Sequence, residues 1–491
     1  MTHLIHFSHP FYMRDNAFML SLAEQAVSRG DAVRILVCDS TINICKSNPK
    51  SEKAVCAWCR SYRKNQFSRL PENVEILRYG DFYTPEIKSA VDSLKFDYDS
   101  VGAVKKLIYK NVKIGYGAFS SYVTLTRNLC PDINDAFKSY FNRYLKAECI
   151  LIEILGRVLD KIHPDLVSLY NGRHFEARPV FEYSRSLGYR TRCYENLKIG
   201  KDKRKNFIFF ENTLPHNIKS ICELIRGTWD NADLAESEKL ATGESFFANR
   251  KASVFAGDKV YTRNQKYGMM PAGFDESKRN IAIFTSSEDE FASIDNEYDD
   301  DQLFPSQQCG ITEILEHFKN DASIHFYVRI HPNLKKIKYK YHTSLLGYAD
   351  LYPNVTVILA NDEISSYSLM ENVEKVLVFG STIGVEACYW GKPVILLCAA
   401  FYHYLDICYK PESAEEAFSL IKEKDLPAKG RADALKYGFY SMYDRNQNFN
   451  YSVSRFDFLR EVLIALNHMR LLSGLKIPVK EEGHTGEISM L

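Results

Sequence analysis

β-branched apolar runs, each followed by a polar loop and then an amphipathic stretch, recur in two parts of the chain. In the first part, "HLIHF" (3–7), "AVRILVC" (32–38), "PDLVSLYNGR" (164–173) and "YRTRCYEN" (189–196) predict strands. Residues 16–29, "AECILIEILGRVLDKI" (147–162) and "ARPVFEYSRSLG" predict helices, and 60–150 reads as helical and irregular. The second part is more regular. "NIAIFTSS" (280–287), "SIHFYVRIHPN" (323–333), "NVTVILAND" (354–362), "EKVLVFGST" (374–382) and "KPVILLC" (392–398) predict strands, with helical spacers such as "GITEILEHF" between them. Strand, loop, helix, strand is the pattern of a parallel sheet wound on both faces, so the expected class is α/β with two Rossmann-like doubly wound domains facing a cleft. Turn residues at 262–280 set the expected boundary: an N-terminal domain over 1–265 and a C-terminal domain over 275–440. A closing helix at 450–475 and a loose tail at 476–491 complete the expected organisation.

Ligands of such sheets bind beyond the carboxyl ends of the strands. In the second domain those positions hold Thr285, Ser286 and Ser287, then Arg329 and His331, then Ser381 and Thr382. Hydroxyls, a guanidinium and an imidazole are groups that hold phosphate. Each alone reads equally as a helix cap or a turn; three such loops on one sheet point to a phosphate site. Glu386 needs its own account. A capping box places Glu three residues after the N-cap, which is Gly384 or Val385 here. Glu386 instead lies four residues after Thr382, on the same helix face. A carboxylate there can accept hydrogen bonds from the vicinal hydroxyls of a ribose, and phosphate with ribose is a nucleotide.

"RIHPN" and, about fifty residues later, "GSTIGVEACYWGKPVI" resemble the donor-binding half of bacterial surface-polysaccharide glycosyltransferases of GT-B fold. The similarity is greatest to capsule polysaccharide biosynthesis proteins that include Kdo transferases, and more distant to bacterial sialyltransferases. "YNGRHFEARPV" and "TSSEDEF" also look like family segments. The resemblance implies that His331, Ser381 and Thr382 contact a donor phosphate and that Glu386 meets the nucleotide's sugar or base. It implies transfer from a nucleotide sugar, with a CMP-activated acidic sugar among the donors, to a glycan or lipid-linked glycan of a capsule or lipopolysaccharide. The same contacts would serve a sugar-nucleotide epimerase or hydrolase, or a CDP-polyol phosphotransferase. A non-catalytic assembly protein is the rival of another class.

An acceptor hydroxyl needs a base, and the first domain offers Glu195 and His174 after its strands, with His331 opposite as the group on the leaving phosphate. Asn171 and Arg173 are candidates for acceptor binding, and Glu288 and Asp289 are further acids beside a phosphate loop. "DNEYDDD" (295–301) is a candidate for attracting a divalent cation, against the plainer reading of a solvated loop.

Composition narrows the rest. The chain has 491 residues, 45% of them hydrophobic, with 63 basic and 62 acidic side chains. That balance excludes a global attraction to nucleic acid. No apolar run approaches the roughly 18 residues of a spanning helix, and "MTHLIHFSHPFYM" lacks the features of a secretion signal. A cytoplasmic protein is expected, and "LKKIKYKYH" (334–342) is a candidate for peripheral contact with the inner face of the membrane. No G-x-G-x-x-G fingerprint of a dinucleotide oxidoreductase is present. Four of the 12 cysteines, Cys38, Cys45, Cys56 and Cys59, fall within one short stretch that ends in C-x2-C. The clustering predicts a structural zinc site ahead of an iron–sulfur cluster or unconnected thiols.

Overall fold

A computed structural model describes residues 1–7, 13–196, 207–256 and 260–443. Two sheets organise them. The first has strands β1 (Thr2–Phe7), β2 (Ala32–Val37), β3 (Glu75–Arg78), β4 (Leu166–Tyr170), β5 (Thr191–Asn196) and β6 (Phe207–Glu211). Their order is β3-β2-β1-β4-β5-β6, parallel except for the β5–β6 pair. The second sheet has β7 (Arg279–Phe284), β8 (Ile324–Arg329), β9 (Val355–Ile358), β10 (Lys375–Val378) and β11 (Val394–Leu396). Its order is β11-β10-β7-β8-β9, all parallel. The expected α/β class with two doubly wound sheets is the class observed.

The strand orders explain why the sequence runs are continuous rather than alternating. β7 and β10 lie in the interior of their sheet with both faces covered, so Ile281, Ala282, Ile283, Val376, Leu377 and Val378 are all fully buried. Chain direction across the sheet reverses between β7 and β10, and between β1 and β4 in the first sheet. These are the switch points where loops diverge and leave a crevice.

The compact units divide near residue 216, not at the expected 265–275. The first unit holds the first sheet and extends to Pro215; the second begins at His216. The reason is packing. Helices Ile218–Asp230 and Glu236–Lys251 both pack against helix Arg431–Met442, with Trp229 edge-on to Phe439 at 5.3 Å. Residues 216–256 therefore complete the layer around the second sheet. The expected closing helix at 450–475 and tail at 476–491 lie outside the described residues. Among the described residues no helix is long and apolar enough to cross a membrane.

β1 carries two histidines with no exposed surface. His3 Nε2 meets Ser168 Oγ of β4 at 2.7 Å, and His6 Nε2 meets Tyr79 Oη at 2.6 Å. Burial lowers His3 to about 4 and His6 to about 3, from 6.5. The unfolded chain thus binds more protons than the fold between pH 6.5 and 4, and stability falls as pH drops through that window. By the time their folded forms are protonated, near pH 4 and pH 3, His3 is expected to withdraw about 3 kcal/mol and His6 about 5 kcal/mol. Urea midpoints measured from pH 7 to 4 check this: a steady fall is expected, and His3→Gln should flatten it.

Candidate functional site

Loops after β7, β8 and β10 converge on one pocket at the switch point of the second sheet. Ser286, Ser287, Arg329, His331, Ser381, Thr382 and Glu386 all line it. So does Arg250, from the helix Glu236–Lys251, which no sequence motif marks.

The loop after β10 is shaped by two glycines. Gly380 has φ of +86°, and a Cβ there would lie 2.9 Å from the Ala399 carbonyl oxygen. A Cβ on Gly384 would lie 2.6 Å from Tyr402 Oη, which itself donates to the Ser381 carbonyl at 2.5 Å. Tyr402 can reach that carbonyl only because position 384 carries no side chain, and the contact fixes the Ser381–Thr382 turn at the pocket wall. The Thr382 side chain makes no cap bond to its own helix, Ile383–Tyr389. Its hydroxyl lies 3.4 Å from Arg250 Nη2 instead.

His331 is held by its neighbours. Its backbone N–H donates to Thr285 Oγ1 at 2.8 Å, and Nδ1 accepts from the Asn333 backbone N–H at 3.2 Å. An accepting Nδ1 leaves the proton on Nε2, so the ring presents a donor. Tyr261 packs edge-on to it at 5.0 Å. Ser287 Oγ accepts from Asn333 Nδ2 at 2.8 Å, which links the loops after β7 and β8. The Ser286 backbone N–H donates to Gln307 Oε1 at 2.6 Å.

Three expectations change. Glu386 is 1% exposed, and both of its oxygens are taken. Oε1 accepts from Arg250 Nη2 at 3.0 Å and Nε at 3.3 Å, and Oε2 accepts from the Tyr367 hydroxyl. A carboxylate so engaged cannot also take two ribose hydroxyls. Its role is to hold Arg250, and the same-face relation to Thr382 serves that pairing. Burial, then the neighbouring Glu386 charge, pushes the Tyr367 phenol upward, so it stays a donor. Arg329 is also committed elsewhere: Nη1 donates to the Leu359 carbonyl at 3.1 Å and Nη2 to the Asp362 carbonyl at 3.3 Å. It ties down the loop after β9 and brings its charge to the pocket wall, with Nε buried and without a hydrogen-bond partner. Burial lowers its pKa to about 10, with Asp362 opposing. Of the acids after β7, Glu290 lines the pocket rather than Glu288 or Asp289; Glu288 Oε1 accepts from the Gln307 backbone N–H at 3.2 Å.

The acidic run 295–301 also has local work. Glu297 Oε2 accepts from Asn217 Nδ2 and from the Ile218 backbone N–H, at 2.8 and 2.9 Å, capping the helix Ile218–Asp230. Among the described residues no three His, Cys, Asp or Glu side chains are gathered as a metal site.

In the first unit, the loop after β4 brings Asn171 and Glu195 together. Glu195 Oε1 accepts from Tyr170 Oη at 2.9 Å and Oε2 from Asn171 Nδ2 at 2.5 Å. Asn171 has φ of +59°, which turns the loop. Arg173 and His174 point elsewhere, onto the helix Ile114–Thr126. Arg173 Nε donates to Ser120 Oγ at 3.0 Å, and His174 Nε2 lies 3.3 Å from Thr124 Oγ1. His174 is 7% exposed and packs on that helix.

The pocket loops after β7, β8 and β10 lie within the part of the chain that has known relatives, whereas Arg250, Tyr261, Thr262, Gln265 and Tyr437 lie outside it. Residues 276–429 match the family model described as capsule polysaccharide biosynthesis protein. The resemblance carried by "RIHPN" and "GSTIGVEACYWGKPVI" is thus borne out over that segment. No curated protein matches the chain. Among solved structures, a β-Kdo 2,4 transferase, KpsC of Thermosulfurimonas dismutans, is similar at 16% identity and TM-score 0.35, over 61% of this chain and 87% of that one. The spinosyn rhamnosyltransferase SpnG is similar at 12% identity and TM-score 0.26, over 90% of this chain and 96% of that one. A UDP-GlcNAc 2-epimerase from Neisseria meningitidis is similar at 12% identity and TM-score 0.24, over 89% of this chain and 98% of that one.

Proposed function

We propose that the pocket of the second unit binds a nucleotide-activated sugar through its phosphates, and that the protein is a glycosyltransferase adding that sugar to a growing bacterial surface polysaccharide. The observation that supports this most is the convergence of Arg250, His331, Ser381 and Thr382 on one pocket at a sheet switch point. The capsule-family match over 276–429, which holds His331, Ser381 and Thr382 but not Arg250, supports the direction of the chemistry. Arg250 and the Nε2 proton of His331 would meet the negative charge that builds on the departing phosphate, and the two hydroxyls would orient it. Because Arg250 is clamped before substrate arrives, little reorganisation accompanies the reaction. The donor on this reading is a nucleotide sugar, a CMP-linked acidic sugar by the sequence resemblance, and the acceptor is a glycan or lipid-linked glycan. Glu195, whose two oxygens accept from Tyr170 and Asn171, would have to give up one of these bonds to serve as the acceptor base.

A melting screen against CMP, CDP, UDP, GDP and ADP, with and without Mg²⁺, tests the reading. A nucleotide present at 100 times its Kd should stabilise the fold by about 2.7 kcal/mol. One nucleotide is expected to raise the melting temperature, and His331→Ala should lose most of the rise while remaining folded. No rise with any of them, in folded protein, would favour the assembly-protein reading.

A further inference from the structure

A second cavity lies in the first unit, unrelated to the donor pocket, and all four clustered cysteines line it. Cys38 follows β2, Cys45 sits in a tight turn, and Cys56 and Cys59 belong to the helix Lys53–Phe67. The turn closes on itself. The Cys45 N–H donates to the Asn48 carbonyl at 3.3 Å, and the Asn48 N–H to the Cys45 carbonyl at 2.8 Å. Spacing of three residues puts Cys56 and Cys59 on one helix face. The enclosed space is about 40 Å³, room for an ion rather than a sugar or a nucleotide.

Burial raises the thiols of Cys38, Cys45 and Cys59, and two donors in the wall oppose it. Asn48 Nδ2 donates to Cys56 Sγ at 3.3 Å, and Arg63 Nη2 donates to Cys59 Sγ at 3.0 Å. Arg63 is 5% exposed, and its other amino group donates to the Cys38 carbonyl. A buried guanidinium against neutral thiols lacks a counter-charge; against thiolates it has one. Glu176, 7% exposed, lines the same cavity. Its Oε1 accepts from the Lys46 N–H at 3.0 Å, while Oε2 is buried with no hydrogen-bond partner. A buried carboxyl oxygen left so is costly unless another group meets it.

We propose that Cys38, Cys45, Cys56 and Cys59 bind one zinc ion, cross-linking the end of β2, the 45–48 turn and the start of the helix. The sulfurs are not yet gathered about a point as their side chains stand; the ion would draw them into the cavity they line. Four sulfur ligands are the donor set of a closed, structural zinc site. Binding converts four thiols to thiolates and releases four protons, leaving a site of charge −2 that Arg63 half neutralises. The site would order a polar, turn-rich loop, "KSNPKSEK", that has little apolar surface to bury.

The test uses the full chain purified without a metal-affinity tag. Elemental analysis should find about one zinc per chain, lost in Cys56→Ser and Cys59→Ser and kept in Cys149→Ser, a buried cysteine outside this cavity. Should the serine variants fail to fold, cobalt exchange into the wild-type protein decides, because four thiolates give Co²⁺ tetrahedral ligand-field bands and sulfur-to-metal charge transfer. Zinc at that ratio and these bands support the site. Metal-free protein with four titratable thiols, a disulfide among the four, iron with acid-labile sulfide, or full zinc in Cys56→Ser would each overturn it.

Discussion

Arg250→Met is expected to lower turnover by about a hundredfold to a thousandfold, the effect of removing one preorganised donor from a developing oxyanion. The same change should destabilise the second unit. Glu386 is 1% exposed on its side chain and pairs with Arg250, itself 15% exposed. Removing one partner of such a buried pair typically costs about 3–5 kcal/mol, because the other charge is left uncompensated. The two effects can be separated. In Arg250→Met/Glu386→Leu no charge is stranded, so most of the stability should return while activity does not. Steady-state kinetics with chemical denaturation of the single and double variants checks both arms. Stability restored together with activity would mean that Arg250 acts only through folding.

Gly438→Ala should lower the melting temperature by roughly 4–8 °C, the change for about 2 kcal/mol in a unit of this size. A Cβ on Gly438 would lie 2.5 Å from the Gly243 carbonyl oxygen, and one on Gly243 would lie 2.7 Å from the Leu435 carbonyl oxygen. Helices Glu236–Lys251 and Arg431–Met442 therefore cross almost backbone to backbone, and an added methyl must push them apart. The first of these helices carries Arg250 in its last turn. It is also registered on the helix Ile383–Tyr389 by Phe247, stacked on Tyr389 at 3.8 Å. Parting the helices should move the guanidinium from Glu386, so nucleotide affinity should fall along with stability. Differential scanning calorimetry and a nucleotide titration of Gly438→Ala check this, and a variant that melts like wild type would contradict the crossing.

The sequence pattern and the structure agree where burial is two-sided and disagree where partners are distant. Interior strands such as β7 and β10 read clearly because both faces need apolar residues. β3, only Glu75–Arg78, is too short to stand out, and β6 lies against β5 as an antiparallel neighbour that the parallel pattern does not anticipate. The domain boundary was misread because turn residues at 262–280 look like a linker. The packing that joins residues 216–256 to the second sheet is made by a helix near residue 431, far along the chain. The pocket loops were legible for the same reason as the strands they follow. Arg250 was not: it sits 136 positions from Glu386, on a helix with no motif. Glu386 itself was singled out correctly as a residue that caps nothing, but only its burial reveals that it faces a cation of its own chain. Its isolation from any capping box was the one available hint of a missing partner.

The central claim is that Arg250, positioned by Glu386 and Tyr367, is the cation that receives the donor's phosphate. The most direct test is calorimetric titration of the nucleotide found in the melting screen into wild type and Arg250→Met/Glu386→Leu. With the double variant folded, affinity is predicted to fall at least tenfold, about 1.4 kcal/mol or more. Unchanged affinity in that variant would contradict the account.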